Sequence, residues 1–212
     1  MIGFISICLA QQNVAESNLQ DIISKAEQGD ANAQYNLALM YQSGEGVSQD
    51  YKQAVRWYTK AAEQGYIYAQ YNLAYIYKNS EGITQDYNLA FYWNKKAAEQ
   101  GYAKAQNNLG VMYHDGEGTP QDYNLAFYWY QKAAEQGDAE AQFNLGVMYN
   151  NGEGILYDYP KSYAWINLAA AQGKEIAKKN RDELLKRMTP GQIEEGKHLF
   201  RELYEKIYNQ TK

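Results

Sequence analysis

Little in this 212-residue chain can cross-link or ligate. The single cysteine, Cys8, excludes an internal disulfide and a thiolate metal site. The only two histidines, His114 and His198, have no second imidazole or cysteine near them in sequence, so neither has the spacing of a zinc ligand and no metal is expected. Only three prolines interrupt the chain, which leaves long stretches free to form helix. Base is not in excess either. Twenty Lys and Arg are interleaved with 25 Asp and Glu for a net charge of −5, which removes the basic footprint that a nucleic-acid partner requires. No apolar run reaches the roughly 18 residues of a membrane span. The patterns H-E-x-x-H, S-x-x-K, G-x-S-x-G and G-x-x-x-x-G-K-[ST] do not occur, so no catalytic constellation is expected and no cofactor.

Aromatic residues, by contrast, are abundant. Twenty-two tyrosines and four tryptophans exceed what a core explains, because a buried phenol must find a hydrogen-bond partner. Some of these rings are expected to face a groove. A hydrophobic content of 45% with 21% charged residues marks a globular chain, and the supply of Ala, Leu, Gln, Glu and Lys favours helix. The opening "MIGFISICLAQQ" reads as a shortened secretory signal with Cys8 and Ala10 at its −3 and −1 positions, although no Lys or Arg precedes the apolar stretch. Residues 1–17 are therefore set apart as signal and disordered N-terminus, and the expected location is periplasmic or secreted.

The glycines of "AEQG" and "AAQG" fall at Gly29, Gly65, Gly101, Gly137 and Gly173, each 36 residues after the last. Ala33, Ala69, Ala105 and Ala141 keep the same step, as do Leu37, Leu73, Leu109 and Leu145, the tyrosines 41, 77, 113 and 149, and Trp57, Trp93, Trp129 and Trp165. Four units follow, at 31–66, 67–102, 103–138 and 139–174. Ala33, Leu37, Met40 and Tyr41 have the spacing of one helix face. A second helix begins after Asp50, with Asp86, Asp122 and Asp158 in the same N-cap position of their units. Glycine-rich segments such as "SGEGV" join the two. Each unit is a helix hairpin that cannot bury both its apolar sides alone, so units must stack. The Trp series is assigned to the core.

Repeats of this kind predict an all-α fold, an α/α solenoid superhelix at 18–174. It has a half-repeat before the first unit, around Leu19, Ile22, Ile23 and Ala26, and capping helices over 175–212. There a helix at about 175–188 precedes "TPGQ", a capping box with Thr189 as N-cap, and a last helix runs through about Tyr208.

The pattern A-x-x-x-L-[AG]-x-x-Y-x-x-G-x-G-V-x-x-D-x-x-x-A-x-x-W-x-x-x-A-A-x-x-G, nearly complete in 33–65, resembles the Sel1-like repeat, a relative of the tetratricopeptide repeat. The resemblance implies a non-catalytic adaptor that binds a protein or peptide segment in the concave groove of its superhelix, and a monomer is expected. Some members of that family are cysteine-rich proteins described as binding or weakly hydrolysing β-lactams. This chain lacks their paired cysteines, so recognition of peptidoglycan or β-lactams is the rival expectation rather than the first.

If first helices line the groove, as the resemblance implies, its floor carries a ladder of amides: Asn36, Asn72, Asn108 and Asn144. An amide both donates and accepts, so a regular row can pair with an extended backbone. The alternative is that each Asn ties its helix to the next unit or to the turn. Tyr68, Tyr75 and Asn79 flank the ladder in the second unit, and Lys104 and Asp115 in the third. These nine residues are the candidate partner-binding set. Glu45, Glu81, Glu117 and Glu153 form a row in the turns that reads as a solvated edge.

Overall fold

The computed structural model describes residues 18–80 and 82–209. The candidate signal at 1–10, with Cys8, and the turn residue Glu81 lie outside the described residues. Among the described residues every regular element is helical. Helix α1 occupies residues 18–27, and nine more follow in hairpin order: α2 (Ala31–Ser43), α3 (Tyr51–Glu63), α4 (Ile67–Asn79), α5 (Tyr87–Glu99), α6 (Ala103–Asp115), α7 (Tyr123–Ala134), α8 (Ala139–Asn151), α9 (Tyr159–Ala171) and α10 (Glu175–Leu185). The last, α11 (Pro190–Tyr204), runs into a π-helical turn, Glu205–Asn209. The chain divides into two compact units, Met1–Ala97 and Ala98–Lys212, with separate cores.

The hairpins form for local reasons. Asp50, Asp86, Asp122 and Asp158 each accept from one or two amides of the following first turn, at 2.9–3.1 Å, which satisfies donors that the helix itself cannot. The amides of the same aspartates donate back to the carbonyls of Tyr41, Tyr77, Tyr113 and Tyr149, closing each interhelix turn at 2.8–3.0 Å. First helices end on a left-handed residue: Gly44, Gly116 and Gly152 take it at no steric cost, and Ser80 holds the same conformation at φ 58°. Thr189 and Gln192 form the capping box that opens α11, with Pro190 at its first position.

Packing follows the repeat. Leu37, Leu73, Leu109 and Leu145 are fully buried, and each contributes about 2 kcal/mol by leaving water. The alanine pairs 61–62, 97–98, 133–134 and 169–170 are buried too and let helices approach closely. Trp57, Trp93 and Trp165 are interior as expected, but Trp129 is only half-buried, its ring edge-on to exposed Tyr128 at 5.1 Å. In the second unit α11 does not continue the hairpin pattern by pairing with α10. It packs on α9, and the close approach passes through Gly196, where a Cβ would stand 2.9 Å from Tyr163 Cδ1.

Candidate functional site

The amide ladder is built on the first helices, each Asn directly preceding a leucine of the buried row, and all four residues are half-buried. In the first compact unit Asn36 lines a depression of about 630 Å³ together with Leu19, Ile22, Leu39 and Met40. Its Nδ2 lies 3.4 Å from Asn32 Oδ1 on the same helix. Asn72 sits in the next depression with Leu39, Gln42, Tyr71 and Tyr75. It donates to the Tyr58 hydroxyl at 3.2 Å, and that hydroxyl donates to Gln42 Oε1 at 2.6 Å, so three helices are tied by one chain of hydrogen bonds. Tyr68 and Tyr75 stand out from this floor at 48% and 45% exposure, and Asn79 is exposed with its amide on the Tyr75 carbonyl. Tyr35, Tyr66 and Tyr68 cluster with centroids 5.0–6.2 Å apart, a ring-lined and uncharged surface.

The second compact unit presents the same repeat positions with different chemistry. Asn144 donates to Asn107 Oδ1 at 3.0 Å and lines a depression with Val111, His114, Tyr130 and Glu153. The ring nitrogens of His114 lie 2.7 Å from Asp115 Oδ1 and 3.2 Å from Glu153 Oε2, and Asn151 donates to the other Glu153 oxygen at 3.0 Å. Burial opposes a charge on His114, but the hydrogen bonds to Asp115 and Glu153 outweigh it and hold the imidazole pKa above its ordinary value. Burial, with Asp115 and Glu153 adding to it, pushes the Tyr130 phenol far above its usual range. Glu153 is thus a half-buried partner of His114 and not the solvated edge residue that its glycine neighbours suggested. Lys104 is exposed at the start of α6. A fifth amide, Asn180, keeps the 36-residue step on α10 and lines a depression with Val147, Ile166 and Arg187. Among the described residues no group of three or more His, Cys, Asp or Glu side chains could hold a metal ion, and no helix is long and apolar enough to cross a membrane.

A second row of amides, missed in sequence, lies inside the stack. Gln34, Gln70, Gln106 and Gln142 are buried, and each donates Nε2 to the carbonyl of an alanine in the preceding helix, Ala26, Ala62, Ala98 and Ala134, at 3.0–3.2 Å. The side-chain carbonyls of Gln34, Gln106 and Gln142 accept from the glutamine of the "EQG" or "AQG" turn that ends the same hairpin: Gln64 on Gln34, Gln136 on Gln106, Gln172 on Gln142, at 2.7–2.9 Å. Buried amides are tolerated where both ends are satisfied, and these rungs satisfy them. The signal was present, since both glutamine rows keep the 36-residue step.

A family model described as the Sel1 repeat matches residues 31–66, 67–102, 103–138 and 139–174. The chain belongs to the Sel1 repeat family. Its α/α solenoid architecture is shared by two solved structures. A protective antigen of uropathogenic Escherichia coli strains displaying an SLR fold is 37% identical, with a TM-score of 0.82 over 91% of this chain and 41% of that one. A Sel1 repeat protein from Oxalobacter formigenes is 40% identical, with a TM-score of 0.71 over 80% of this chain and 49% of that one. The chain therefore spans less than half the length of either relative. No match is found among the curated proteins.

Proposed function

We propose that this Sel1 repeat chain is a non-catalytic scaffold that holds an extended protein segment along the face formed by its first helices, outside the cytoplasm of a bacterial cell. The observation that carries the reading is that Asn36, Asn72 and Asn144 are half-buried and each lines a depression, with exposed Tyr75 beside Asn72. An amide uses several hydrogen-bonding positions, so one that anchors a neighbouring helix still has others to offer a bound backbone. Tyr68 and Tyr75 supply area with little side-chain entropy to lose, which suits an interface. Extracytoplasmic location rests on the N-terminal sequence, and mass spectrometry of the mature N-terminus tests it separately.

The test of the scaffold reading is capture of partners by the folded chain from native extract, repeated with Tyr68→Asp/Tyr75→Asp. Both rings are exposed, so folding is expected to be unchanged while a captured partner is lost. Retention of the same partner by the double variant refutes the groove, and hydrolysis of nitrocefin or sedimentation with purified peptidoglycan by the wild type refutes the non-catalytic scaffold in favour of the cell-wall reading.

A further inference from the structure

One rung of the buried glutamine ladder has a third member. Tyr208, in the π-helical turn after α11, places its hydroxyl 3.0 Å from Gln142 Nε2 and 2.7 Å from Gln172 Nε2, accepting from both amides. Its ring lies over Gly137, where a Cβ would stand 3.3 Å from Cε1. Helix α11 reaches this notch along α9, with Gly196 against Pro160 and Tyr163, and Phe200, Leu203 and Ile207 packed into the core around Trp165. The spacing 200, 203, 207, 208 is one apolar stripe of a helix, so the chain itself shows how an amphipathic helix ending in tyrosine seats on this surface.

The repeat provides the same surface again 36 residues earlier. Gly101, Gln106 and Gln136 replace Gly137, Gln142 and Gln172, and α7 replaces α9. The rung is made, with Gln136 Nε2 2.7 Å from Gln106 Oε1, and Gln136 is exposed. A Cβ on Gly101 would meet nothing within 4 Å, where Gly137 meets Tyr208. On the helix face, α9 carries Ala164, fully buried, whereas α7 carries Tyr128 at the matching position, 47% exposed, beside Leu125 at 39%. The notch is present and open, and the face next to it exposes two large apolar side chains, Leu125 and Tyr128.

We propose that the Gly101–Gln106–Gln136 notch and the Leu125–Tyr128 face of α7 are a docking site for an amphipathic helix of a partner protein that ends in a tyrosine, seated as α11 seats on α9. The partner's phenol accepts from Gln136, and its apolar stripe covers Leu125 and Tyr128. This site shares no residue with the first-helix face, so either reading can fail without the other.

The probe is a fluorescein-labelled synthetic peptide of residues 189–209, titrated into the full chain and followed by anisotropy. Saturable one-to-one binding is expected. Leu125→Glu/Tyr128→Glu in the protein should weaken it at least tenfold with the circular dichroism spectrum and melting temperature unchanged, because both side chains are exposed. Tyr208→Phe in the peptide should weaken it about three- to tenfold, the range of one net hydrogen bond, and Tyr75→Asp in the protein should leave it unaltered. The proposal is overturned by absence of saturable binding, by binding that ignores the α7 substitutions and responds instead to Gln172→Ala, which means exchange into the α11 site, or by concentration-dependent dimerisation that Leu125→Glu/Tyr128→Glu abolishes, which makes a second copy the occupant.

Discussion

The two compact units solve the same packing problem with different residues at matched positions. Where α2 has Gln42 and Ser43, α6 has His114 and Asp115, so a neutral hydrogen-bonded floor in one unit becomes an ionisable one in the other. Where α2 and α4 have Ala38 and Ala74, α6 and α8 have Gly110 and Gly146. The exchange is steric: a Cβ on Gly146 would stand 2.5 Å from Ile166 Cγ1 and 3.0 Å from its backbone nitrogen, while one on Gly110 would meet the Tyr130 ring at 2.6 Å. The hairpins of the second unit are thus closed more tightly, and the Ser162 hydroxyl uses that closeness to donate to the Gly146 carbonyl at 2.8 Å. One repeat signature accommodates both solutions because it fixes the leucine, alanine-pair and glutamine rows and leaves the face between them to vary.

The sharpest way to break this comparison is to give the second unit the residue of the first. Gly146→Ala should destabilise by about 1–3 kcal/mol through overpacking against backbone, although alanine is the better helix former by about 1 kcal/mol. Urea unfolding reads the loss, and a neutral or stabilising result means the closer approach is not rigid. Gln142→Leu should come next, at roughly 2 kcal/mol, because it strips a buried carbonyl of its donor. It should exceed Gln34→Leu by about 1 kcal/mol, since only Gln142 also holds Tyr208. Tyr208→Phe alone should cost about 1 kcal/mol, confined to the second unit and visible as faster amide hydrogen exchange in α11.

The smallest effect concerns pH. Because the folded-state pKa of His114 is raised, its stabilisation is fully present below the ordinary value of 6.5 and is lost as pH rises through the folded value. A part-exposed pair of this kind contributes below about 1 kcal/mol. An NMR titration of the ring should show a midpoint above the ordinary histidine value of 6.5, and His114→Gln, the residue of the first unit, should flatten the pH dependence of stability. A midpoint at or below the ordinary value contradicts the ion-paired geometry.

Much of this is legible in the sequence alone. The aspartate caps, the left-handed turn glycines and the capping box at Thr189 depend on residues within four positions of each other, and local chemistry is enough to place them. Three things are not. The inward glutamines were overlooked because a polar residue next to the apolar stripe reads as surface, yet Gln106 is buried by satisfying Ala98 and Gln136 at once. Trp129 keeps its place in the repeat but loses its burial, which depends on what covers α7. The return of α11 onto α9 could not be read from its apolar spacing, which would serve equally well against α10.

What the sequence determined by itself is the all-helical hairpin and its 36-residue step, because caps, turns and apolar spacing are short-range and repeated four times over. What only the tertiary structure decided is which amides face inward, which aromatic rings stay open, and where the last helix lies. Those depend on the distance between helices that are remote in sequence, and at Gly146 that distance leaves no room for a single methyl group.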